Sequence, residues 1–390
     1  MKSNWKMTTI GDLISVKRGY DLTSKDRNTG NIPVYGAAGQ NGYHNESKVN
    51  GPGIVIGRSG GSFGQVHYVA QQSFWPHNTA MYVTDFNGND VDFVFYLLKT
   101  LDFSALNSGS AQPSLNRNYL YPVKVRAPHL DEQILIGQLL SSLDRKIELN
   151  NKINSELEAM AKLIYDYWFV QFDFPDASGK PYKSSGGKMV YNEELKREIP
   201  EGWTLKAITE EMDVQYGYPF STKLFNAHGE GAVVVRIRNI LDNSISIFST
   251  EKVDDKYLLK TGDLLVGMDG NFHLNFWDKE GCYLNQRCVR IRSVDNSCVS
   301  QLQALFQIEP YIKAREKNVS RTTVGHLSAK DINSLKVLIP RSEQMKNKRA
   351  FFDSILSKIV VNREENSKLT KLRDWLLPML MNGQVTVSTK

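Results

Sequence analysis

The sequence predicts an α+β protein with an internal repeat, in which a mixed α/β globular domain followed by a long helix occurs twice. Three observations predict this fold class: residue matches between the two halves, a heptad pattern after each globular part, and opposite net charges on the two heptad segments. With 41% hydrophobic and 23% charged residues, the 390-residue chain has the composition of a globular protein of two or three domains.

The repeat is a series of residue matches whose offset rises steadily along the chain, which places the insertions inside the second globular part. At an offset of 198, the matches are Trp5 with Trp203, Ile10 with Ile208, Val16 with Val214, Gly19 with Gly217, Tyr20 with Tyr218 and Lys25 with Lys223. Residues 54–60 match 264–270 at an offset of 210. At an offset of 212, the matches are Leu115 with Leu327, Leu120 with Ile332, Lys124 with Lys336, Val125 with Val337 and Pro128 with Pro340.

A helical pattern begins after Pro128 and again after Pro340, where polar and acidic residues form a typical helix start. A 3.5-residue spacing kept over four or more heptads then predicts a coiled-coil seam rather than an ordinary amphipathic helix. The seam positions of the first helix are Ile136, Leu140, Leu143, Ile147, Asn150, Asn154, Leu157, Ala161, Ile164 and Trp168. Those of the second helix, 212 residues later, are Lys348, Phe352, Ile355, Ile359, Asn362, Asn366, Leu369, Arg373, Leu376 and Leu380.

The two helices are expected to pair with each other. Residues 131–170 carry four Lys/Arg and seven Asp/Glu, or −3, whereas residues 341–382 carry nine and five, or +4. Each seam has two asparagines at its middle: Asn150 and Asn154 in the first, Asn362 and Asn366 in the second. In an antiparallel pair these four meet, and buried asparagines can fix the register. The alternative is that they face solvent on two independent helices.

Each globular part is expected to open with a short helix (Thr8–Lys17; Ala207–Val214) and to continue with short strands and loops rich in Gly and Asn. An apolar helix (Val91–Leu101; Val299–Phe306) follows. Such exposed loops can carry binding groups. Residues 172–202 are rich in Pro, Gly and Ser and predict an extended linker.

The sequence argues against several kinds of site. It has no apolar run of about 18 residues and no signal peptide, so no membrane contact is expected. The cysteines Cys282, Cys288 and Cys298 have no paired spacing, which fits a reducing cytoplasm and predicts no metal site with His273. The net charge of +6 permits nucleic-acid binding without requiring it.

No catalytic residues are predicted. The sequence lacks the Asn-Pro-Pro-Tyr and Asp-Pro-Pro-Tyr/Phe motifs of methyltransferases, and the Gly-rich run 57–64 lacks the Lys-Ser/Thr of a P-loop. One nuclease-like pattern, Asp176 followed by Glu194 and Lys196, has the residue types that hold a metal. It lies in the expected linker, where no strands would fix it, so we expect it not to be a catalytic site.

Four stretches carry a resemblance to a known family: residues 109–116 (GSAQPSLN), 128–133 (PHLDEQ), 167–175 (YWFVQFDFP) and 199–203 (IPEGW). In these stretches and in module order, nearly the whole chain resembles the specificity (S, HsdS-type) subunits of type I restriction-modification enzymes, which serve phage defence. The second module departs from the pattern at 320–327, which lacks the Gln and Pro of the first.

The resemblance implies that each globular part is a target recognition domain reading one half of a bipartite, asymmetric site in double-stranded DNA. The helices would form an antiparallel coiled-coil spacer. Two methyltransferase (M) subunits would dock around it and supply S-adenosylmethionine and adenine methylation, and restriction/translocase (R) subunits would join for ATP- and Mg-dependent cleavage. This chain itself would bind no cofactor.

On this interpretation, a helix of about 38 residues, roughly 57 Å long, could place the two readers about one DNA turn apart. The expected segments are target recognition domain 1 (1–130), spacer helix 1 (131–170), linker (171–202), target recognition domain 2 (203–340), spacer helix 2 (341–382) and C-terminal tail (383–390).

Base readout requires polar side chains on loops that reach the groove edges. The candidates in the first module are Arg58, Ser59, Ser62, His77, Asn78, Thr79, Gln112, Asn116 and Arg117. Those in the second are Asp269, Asn271, His273, Asn285, Gln286, Arg287, Ser320, Arg321 and Thr322, with Arg236 and Arg238 expected on one face of an apolar strand. Lys25 and Lys223 suit phosphate contacts, which position a protein without specifying sequence. For any one of these residues the alternative is a solvated loop side chain.

Two other functions remain open from the sequence. One is a two-domain scaffold whose coiled coil organises protein partners and whose globular domains bind proteins or glycans. The other is an autonomous nuclease that uses the pattern around Asp176.

Overall fold

The computed structural model describes residues 5–109, 113–317, 325–340 and 342–387, and the side chains of 342–347 are not described. The chain folds into two compact units. The first consists of Met1–Glu148 with Lys368–Lys390, and the second of Leu149–Ser367. Both long helices therefore contribute residues to both units.

The first module contains three sheets. Its strands are β1 (Lys6–Thr9), β2 (Ser15–Arg18), β3 (Ile32–Gly36), β4 (Gly39–His44), β5 (Val49–Asn50), β6 (Gly53–Gly57), β7 (Val66–Val69), β8 (Ser73–Pro76), β9 (Ala80–Asp85) and β10 (Lys124–Ala127). The strand orders are β1-β10, β2-β9-β6-β7 and β4-β3-β8-β5. The pairing of β3 with β8 is parallel, and the other pairings are antiparallel.

The helices of the first module are α1 (Ile10–Leu13), α2 (Val91–Lys99) and α3 (Arg117–Leu120), and α4 (Leu130–Tyr165) follows them. The expected opening helix Thr8–Lys17 was wrong in extent, because only the single turn α1 is helical. Thr9 caps that turn, and Ile14 is already extended. Val16 is buried in β2, where pairing with β9 outweighs continuation of the helix.

The core of the first unit forms around Trp5, α2 and the start of α4, with Ile136 and Leu140 fully buried. Leu380 and Met381, near the C-terminal end of the chain, belong to the same core. A Cβ atom at Gly383 would lie 3.1 Å from the Trp5 ring, so the chain passes close to the indole there. The last described residues thus complete the hydrophobic core of this unit.

The second module repeats this plan. Its strands are β13 (Thr204–Ala207), β14 (Met212–Tyr216), β15 (Phe225–Asn226), β16 (Ala232–Val235), β17 (Phe248–Ser249), β18 (Leu264–Gly267), β19 (Leu274–Phe276), β20 (Cys282–Leu284), β21 (Cys288–Ser293) and β22 (Lys336–Ile339). The strand orders are β13-β22, β14-β21-β18-β19 and β15-β17-β16-β20. The pairing of β16 with β20 is parallel, like that of β3 with β8.

The helices here are α5 (Ile208–Glu211), α6 (Ile237–Ile240), α7 (Gln301–Lys317), α8 (Ala329–Asn333) and α9 (Ser342–Met381). The expected opening helix Ala207–Val214 is again only one turn, α5, because β14 starts at Met212 and pairs with β21. The later helix, α7, is longer than the expected Val299–Phe306 and continues to Lys317.

The expectation of an extended linker was wrong. A hairpin of β11 (Met189–Asn192) and β12 (Arg197–Pro200) lies inside residues 172–202. Phe172 and Phe174 are fully buried, and Phe174 stacks on Trp203 with ring centroids 5.2 Å apart. Aromatic burial thus holds this Pro- and Gly-containing segment against the second module.

The fold class is confirmed. The first long helix, expected at 131–170, spans α4 and continues as a π-helical turn, Asp166–Val170. The second, expected at 341–382, is α9. Every seam position of the heptad pattern is buried or half-buried. Within the second unit the helices are antiparallel, since Asn150 contacts Asn366 and Asn154 contacts Asn362. Across the described residues, no helix is both long and apolar enough to cross a bilayer.

Candidate nucleic-acid interface

Three loops of the first module meet beyond the end of β6. The Arg58 N–H donates to the Thr79 carbonyl at 2.9 Å, and the Leu115 N–H donates to the Arg58 carbonyl at 2.8 Å. Ser59 forms a bridge with Ser114. The Gly-rich loop, the turn 77–79 and the segment that leads into α3 are therefore fixed to one another by backbone hydrogen bonds.

The side chains on this frame are partly organised. The Arg58 Nη1 donates to the Asn78 carbonyl at 3.3 Å, and the Asn78 amide donates to the Asp21 carboxylate. His77 Nδ1 lies 3.0 Å from the Thr79 hydroxyl. The other described candidates are half-buried Ser62, in a 3₁₀ turn, and exposed Asn116 and Arg117 at the start of α3.

The second module builds the same frame with different side chains. The Met268 N–H donates to the Arg287 carbonyl at 2.8 Å, and the Leu327 N–H donates to the Met268 carbonyl at 2.8 Å. The bridge of Tyr218 with Asn285 matches that of Tyr20 with His77. Residues 285–287 (Asn-Gln-Arg) therefore occupy the places of residues 77–79 (His-Asn-Thr).

A cavity of about 540 Å³ opens on this frame in the second module. Together with Ile237, seven residues that the sequence indicated line it: Arg236, Arg238, Asn271, His273, Asn285, Gln286 and Arg287. Three guanidinium groups make it a site for acceptor-rich ligands. Burial, and then the neighbouring Arg238, lower the pKa of Arg236. Two buried atoms, Arg236 Nε and Asn285 Oδ1, lack a hydrogen-bond partner among the described residues.

Two expectations about these residues change. Arg236 and Arg238 do not alternate along a strand, because β16 ends at Val235. The Asn239 side chain accepts from the Arg236 N–H at 3.0 Å and starts the one-turn helix α6 instead. His326, which the sequence did not single out, lies 2.5 Å from the Asp269 carboxylate, whose other oxygen is 3.5 Å from Arg287. In the sequence, the position of His326 next to the repeat-matched Leu327 could have pointed to its place in the site.

The remaining candidates are less informative. Lys25 is exposed in a turn and Lys223 is exposed in a short 3₁₀ helix, Thr222–Leu224, at matched places of the two modules. Gln112, Ser320, Arg321 and Thr322 lie outside the described residues.

The four seam asparagines lie together in the second unit. The Asn362 amide donates to Asn154 Oδ1 at 2.8 Å, and the Asn154 amide donates to the Ile359 carbonyl at 3.2 Å. The Asn150 amide donates to Asn366 Oδ1 at 2.9 Å and to Glu365 at 2.7 Å. Their role in fixing the register stays a prediction.

Replacing the pair Asn154→Leu/Asn362→Leu is expected to leave stability equal to or above that of the wild type, because both members of a buried polar pair are removed together. Asn362→Leu alone and Asn154→Leu alone should each cost about 1–3 kcal/mol, since the first removes the donor to Asn154 Oδ1 and the second removes the acceptor of the Asn362 amide. Urea unfolding of the three variants measures this. If the double variant loses as much stability as the two single variants combined, the asparagines do not act as a pair.

A sequence model of the type I restriction modification DNA specificity domain matches residues 2–159 and 200–371. The chain belongs to the type I restriction-modification DNA specificity family. Its members are the non-catalytic DNA-recognition subunits of these systems, so the chain is a specificity subunit.

Individual relatives agree with this assignment. The MjaIX specificity subunit of Methanocaldococcus jannaschii is 26% identical over 76% of this chain and 69% of its own length. The HindI specificity subunit of Haemophilus influenzae is 22% identical over 79% of this chain and 81% of its own. A crystal structure of an S subunit from M. genitalium covers 100% of this chain and 98% of its own, with TM-score 0.65 and 18% identity, and so shares the fold.

The nuclease-like carboxylates of this specificity subunit have structural partners. Asp176 accepts from the Ser178 and Lys180 backbone N–H groups within a turn, and Glu194 pairs with Lys336. The described part of the chain contains no group of three or more His, Cys, Asp or Glu residues that could hold a metal ion. Burial raises the pKa of Cys282 to about 11 and that of Cys288 to about 12, so neither is a ready thiolate.

The long helices of the specificity subunit expose apolar residues at repeat-matched positions. In α4, Leu149, Met160 and Leu163 are 51%, 40% and 71% exposed. Their counterparts in α9, 212 residues later, are Val361, Leu372 and Trp375, exposed by 58%, 43% and 57%. We call these six residues the outer apolar positions. Exposed apolar residues of this kind are typical of positions that contact other proteins.

Lys348, a seam position of α9, is half-buried against the segment 172–202. Its Nζ donates to the Pro175 carbonyl at 2.8 Å and lies 4.5 Å from the Phe174 ring centroid. Burial lowers the pKa of this ammonium group to about 8 from its ordinary value of 10.5. Between these two pH values the unfolded chain holds a proton that the folded chain has released. The free energy of unfolding therefore rises with pH across that window.

Lys348→Met is expected to remove this rise and to stabilise the specificity subunit at pH 7 by about 1–2 kcal/mol, a value reduced for solvent screening. Urea unfolding at pH 7 and pH 10 measures both effects. Lys358→Met, at an exposed position of the same helix, is the matched control. If the wild type gains no stability relative to Lys348→Met between pH 7 and pH 10, the lowered pKa of Lys348 is contradicted.

Proposed function

We propose that this specificity subunit reads a bipartite, asymmetric site in double-stranded DNA, with one module for each half-site. The proposal rests on one observation: the two modules share a backbone arrangement but carry different side chains on it. His77, Asn78 and Thr79 in one module stand where Asn285, Gln286 and Arg287 stand in the other. Because base edges are distinguished by the donors and acceptors that reach them, unlike side chains on one frame favour unlike half-sites.

The second-module cavity supports a nucleic-acid ligand. Its guanidinium, amide and imidazole groups are those that pair with guanine and adenine edges or with phosphates. Lys25 and Lys223, exposed at matched places, are suited to phosphate contacts that position each module.

Binding of the subunit, assembled with its methyltransferase partner, to a randomised duplex library tests the proposal. We expect enrichment of two unlike short motifs separated by a fixed number of unread base pairs. A complete lack of sequence preference would contradict it. Salt-insensitive binding to protein partners alone would instead favour a coiled-coil scaffold without DNA recognition.

We further propose that the paired helices dock two methyltransferase subunits, which bring S-adenosylmethionine, and that restriction/translocase subunits with ATP and Mg join that complex. The outer apolar positions support two equivalent docking surfaces, because three of them occur in each helix, at matched places. The catalytic cofactors then belong to the partners, and this chain supplies sequence recognition.

Leu163→Glu and Trp375→Glu are each expected to remove one of the two methyltransferase subunits, because a charge replaces an exposed apolar contact. Each should weaken the affected binding step by about 2 kcal/mol or more, or roughly thirtyfold. Native mass spectrometry of the purified complex measures the stoichiometry. Tyr191→Glu, at an exposed position of the hairpin, is a control for adding charge to the surface. Two bound copies in both helix variants would contradict docking at these positions.

A further inference from the structure

A two-residue antiparallel bridge in the second module places Asp269 opposite His326. The backbone hydrogen bonds of this bridge, at 2.8 and 2.9 Å, join the residues that flank the pair. Residues opposite each other between such bonds do not bond through their own backbones, and their side chains lie close together. The backbone therefore fixes the carboxylate beside the imidazole.

The side chains of this bridge form a chain of contacts that reaches the cavity of the second module. His326 Nδ1 lies 2.5 Å from one oxygen of the Asp269 carboxylate. The other oxygen lies 3.5 Å from Nε of Arg287, which lines the cavity. Asp269 is not among the described residues that line the cavity, so it contacts the arginine from outside. Within the described ranges, the two terminal nitrogens of the arginine have no hydrogen bond or ion pair, and the side chain is 56% exposed.

Arg287 has a left-handed backbone conformation, with a φ of +67°. Residues other than glycine rarely adopt it, and such exceptions are concentrated at functional sites. The Arg287 carbonyl accepts from the Met268 N–H at 2.8 Å, which ties this residue to the backbone frame of the site. An arginine kept in an unfavourable backbone conformation indicates that the direction of its side chain matters.

The first module has uncharged side chains at the same three places. Ser59 and Ser114 form the matched bridge, at offsets of 210 and 212 from Asp269 and His326. Thr79 stands where the second module has its arginine, without the left-handed conformation. The contact between carboxylate and guanidinium thus exists in one module only, as expected if it serves one half-site.

We propose that Asp269 and His326 are positioning residues that orient Arg287 to read a guanine in the second half-site. This inference rests on the proposed reading of one half-site by each module. Guanine presents two acceptors, N7 and O6, at its major-groove edge, and an arginine donates to both at once. The carboxylate contacts Nε and leaves the two terminal nitrogens for these acceptors.

A phosphate is the other ligand that suits a guanidinium group. The neighbouring carboxylate argues against it, because a negative charge beside Arg287 lowers the positive potential that attracts a phosphate. The same carboxylate favours a base edge, where the direction of the donors decides which base is accepted.

Binding of the assembled complex to duplexes with each of the four base pairs at every position of the second half-site tests the proposal. We expect the wild type to prefer guanine at one position, and Arg287→Ala to lower that preference about tenfold or more. Asp269→Asn should lower the same preference about fivefold or more, and should have no further effect in the Arg287→Ala background, because it acts through the arginine. His326→Ala should also lower it, whereas His326→Asn, which keeps an N–H donor, should retain it.

Two controls separate positioning from loss of structure. Asp242→Asn makes the same charge change at an exposed turn of the same module and should leave the preference for guanine unchanged. Selectivity for the first half-site should stay at the wild-type level in every variant, which shows that the complex is folded and assembled. Asp269→Asn should bind unrelated duplexes more tightly than the wild type, because it removes a charge that repels phosphates, whereas a folding defect would weaken that binding.

An equal loss on all four base pairs in Arg287→Ala and Asp269→Asn would show a phosphate contact and overturn the proposal. A preference for guanine that falls with Arg287→Ala but survives both Asp269→Asn and His326→Ala would overturn the positioning role. If the second half-site is selected but no guanine in it depends on Arg287, the proposal fails and the reading of one half-site by each module stands. If the randomised library shows no sequence preference at all, the proposed function itself fails.

Discussion

Insertion of one heptad into each long helix is expected to move the two DNA half-sites apart by about three base pairs. Seven helical residues add about 10 Å, and B-DNA rises about 3.4 Å per base pair. The insertions belong between Asn151 and Lys152 in α4 and between Glu364 and Glu365 in α9. Both points fall between the two asparagine contacts, Asn150 with Asn366 and Asn154 with Asn362, so a full heptad preserves the seam.

The measurement is selection of the assembled complex on duplexes whose spacer length is varied. We expect the preferred spacer to lengthen and binding to the original spacer to fall by two or more orders of magnitude, since only one half-site can then be engaged. Seven Gly/Ser residues inserted in the turn between Asn192 and Arg197 are the control, because they add chain without lengthening either helix. An unchanged spacer preference would refute the role of the helices in setting the distance.

Alanine at Arg58 or at Arg287 is expected to weaken recognition of one half-site only. Arg58 belongs to the first module and Arg287, 56% exposed in its side chain, lines the cavity of the second. If each donates to a guanine edge, its loss costs about 1–3 kcal/mol on the cognate site and relaxes selectivity at one position. Competition binding against single-base variants of each half-site measures this.

Lys25→Ala is the matched control for these arginines. An exposed lysine at a phosphate should weaken binding by a similar factor on every sequence and reduce the slope of affinity against salt by about one. If Arg58→Ala and Arg287→Ala behave like Lys25→Ala, the arginines hold phosphates and do not read bases.

The long helices were predictable because the spacing of apolar residues shows directly which face of a helix is buried. A 3.5-residue period requires one face to be covered along its whole length, whatever the partner. Polar seam residues also follow this pattern: the Lys348 ammonium group lies over the Phe174 ring, and Asn154 accepts a hydrogen bond from Asn362. The repeat was predictable for a related reason, since core positions such as Trp5 and Trp203 must be kept in both copies.

The short elements were less predictable. The sequence of residues 8–17 favours a helix, but Val16 lies in strand β2, which pairs with β9. Residues 172–202 have a linker composition, but Phe172 and Phe174 bury against Trp203 and order the segment. In both places contacts with residues far along the chain decide the structure, and a local pattern does not contain them.

The sequence predicted the separate groups of polar residues in the candidate site, but not how these groups come together in the folded protein. Residues 285–287 were indicated because they are polar residues on a predicted loop. Residues 285–287 lie near Arg236 because β16 and β20 pair in parallel. This pairing places Val235 beside Leu284, which is about fifty residues away in the sequence. The strand ends then bring Arg236 and Asn285 together. His326 joins the site through the same long-range frame, by its bridge to Asp269.

Methylome sequencing of a host that expresses this chain with its methyltransferase partner tests the central claim most directly. The account predicts adenine methylation within one bipartite motif whose two halves differ and whose spacer is constant. Exchanging His77, Asn78 and Thr79 should change the first half alone. Methylation confined to a single contiguous or palindromic motif, or a simultaneous change of both halves on that exchange, would contradict one module reading each half-site.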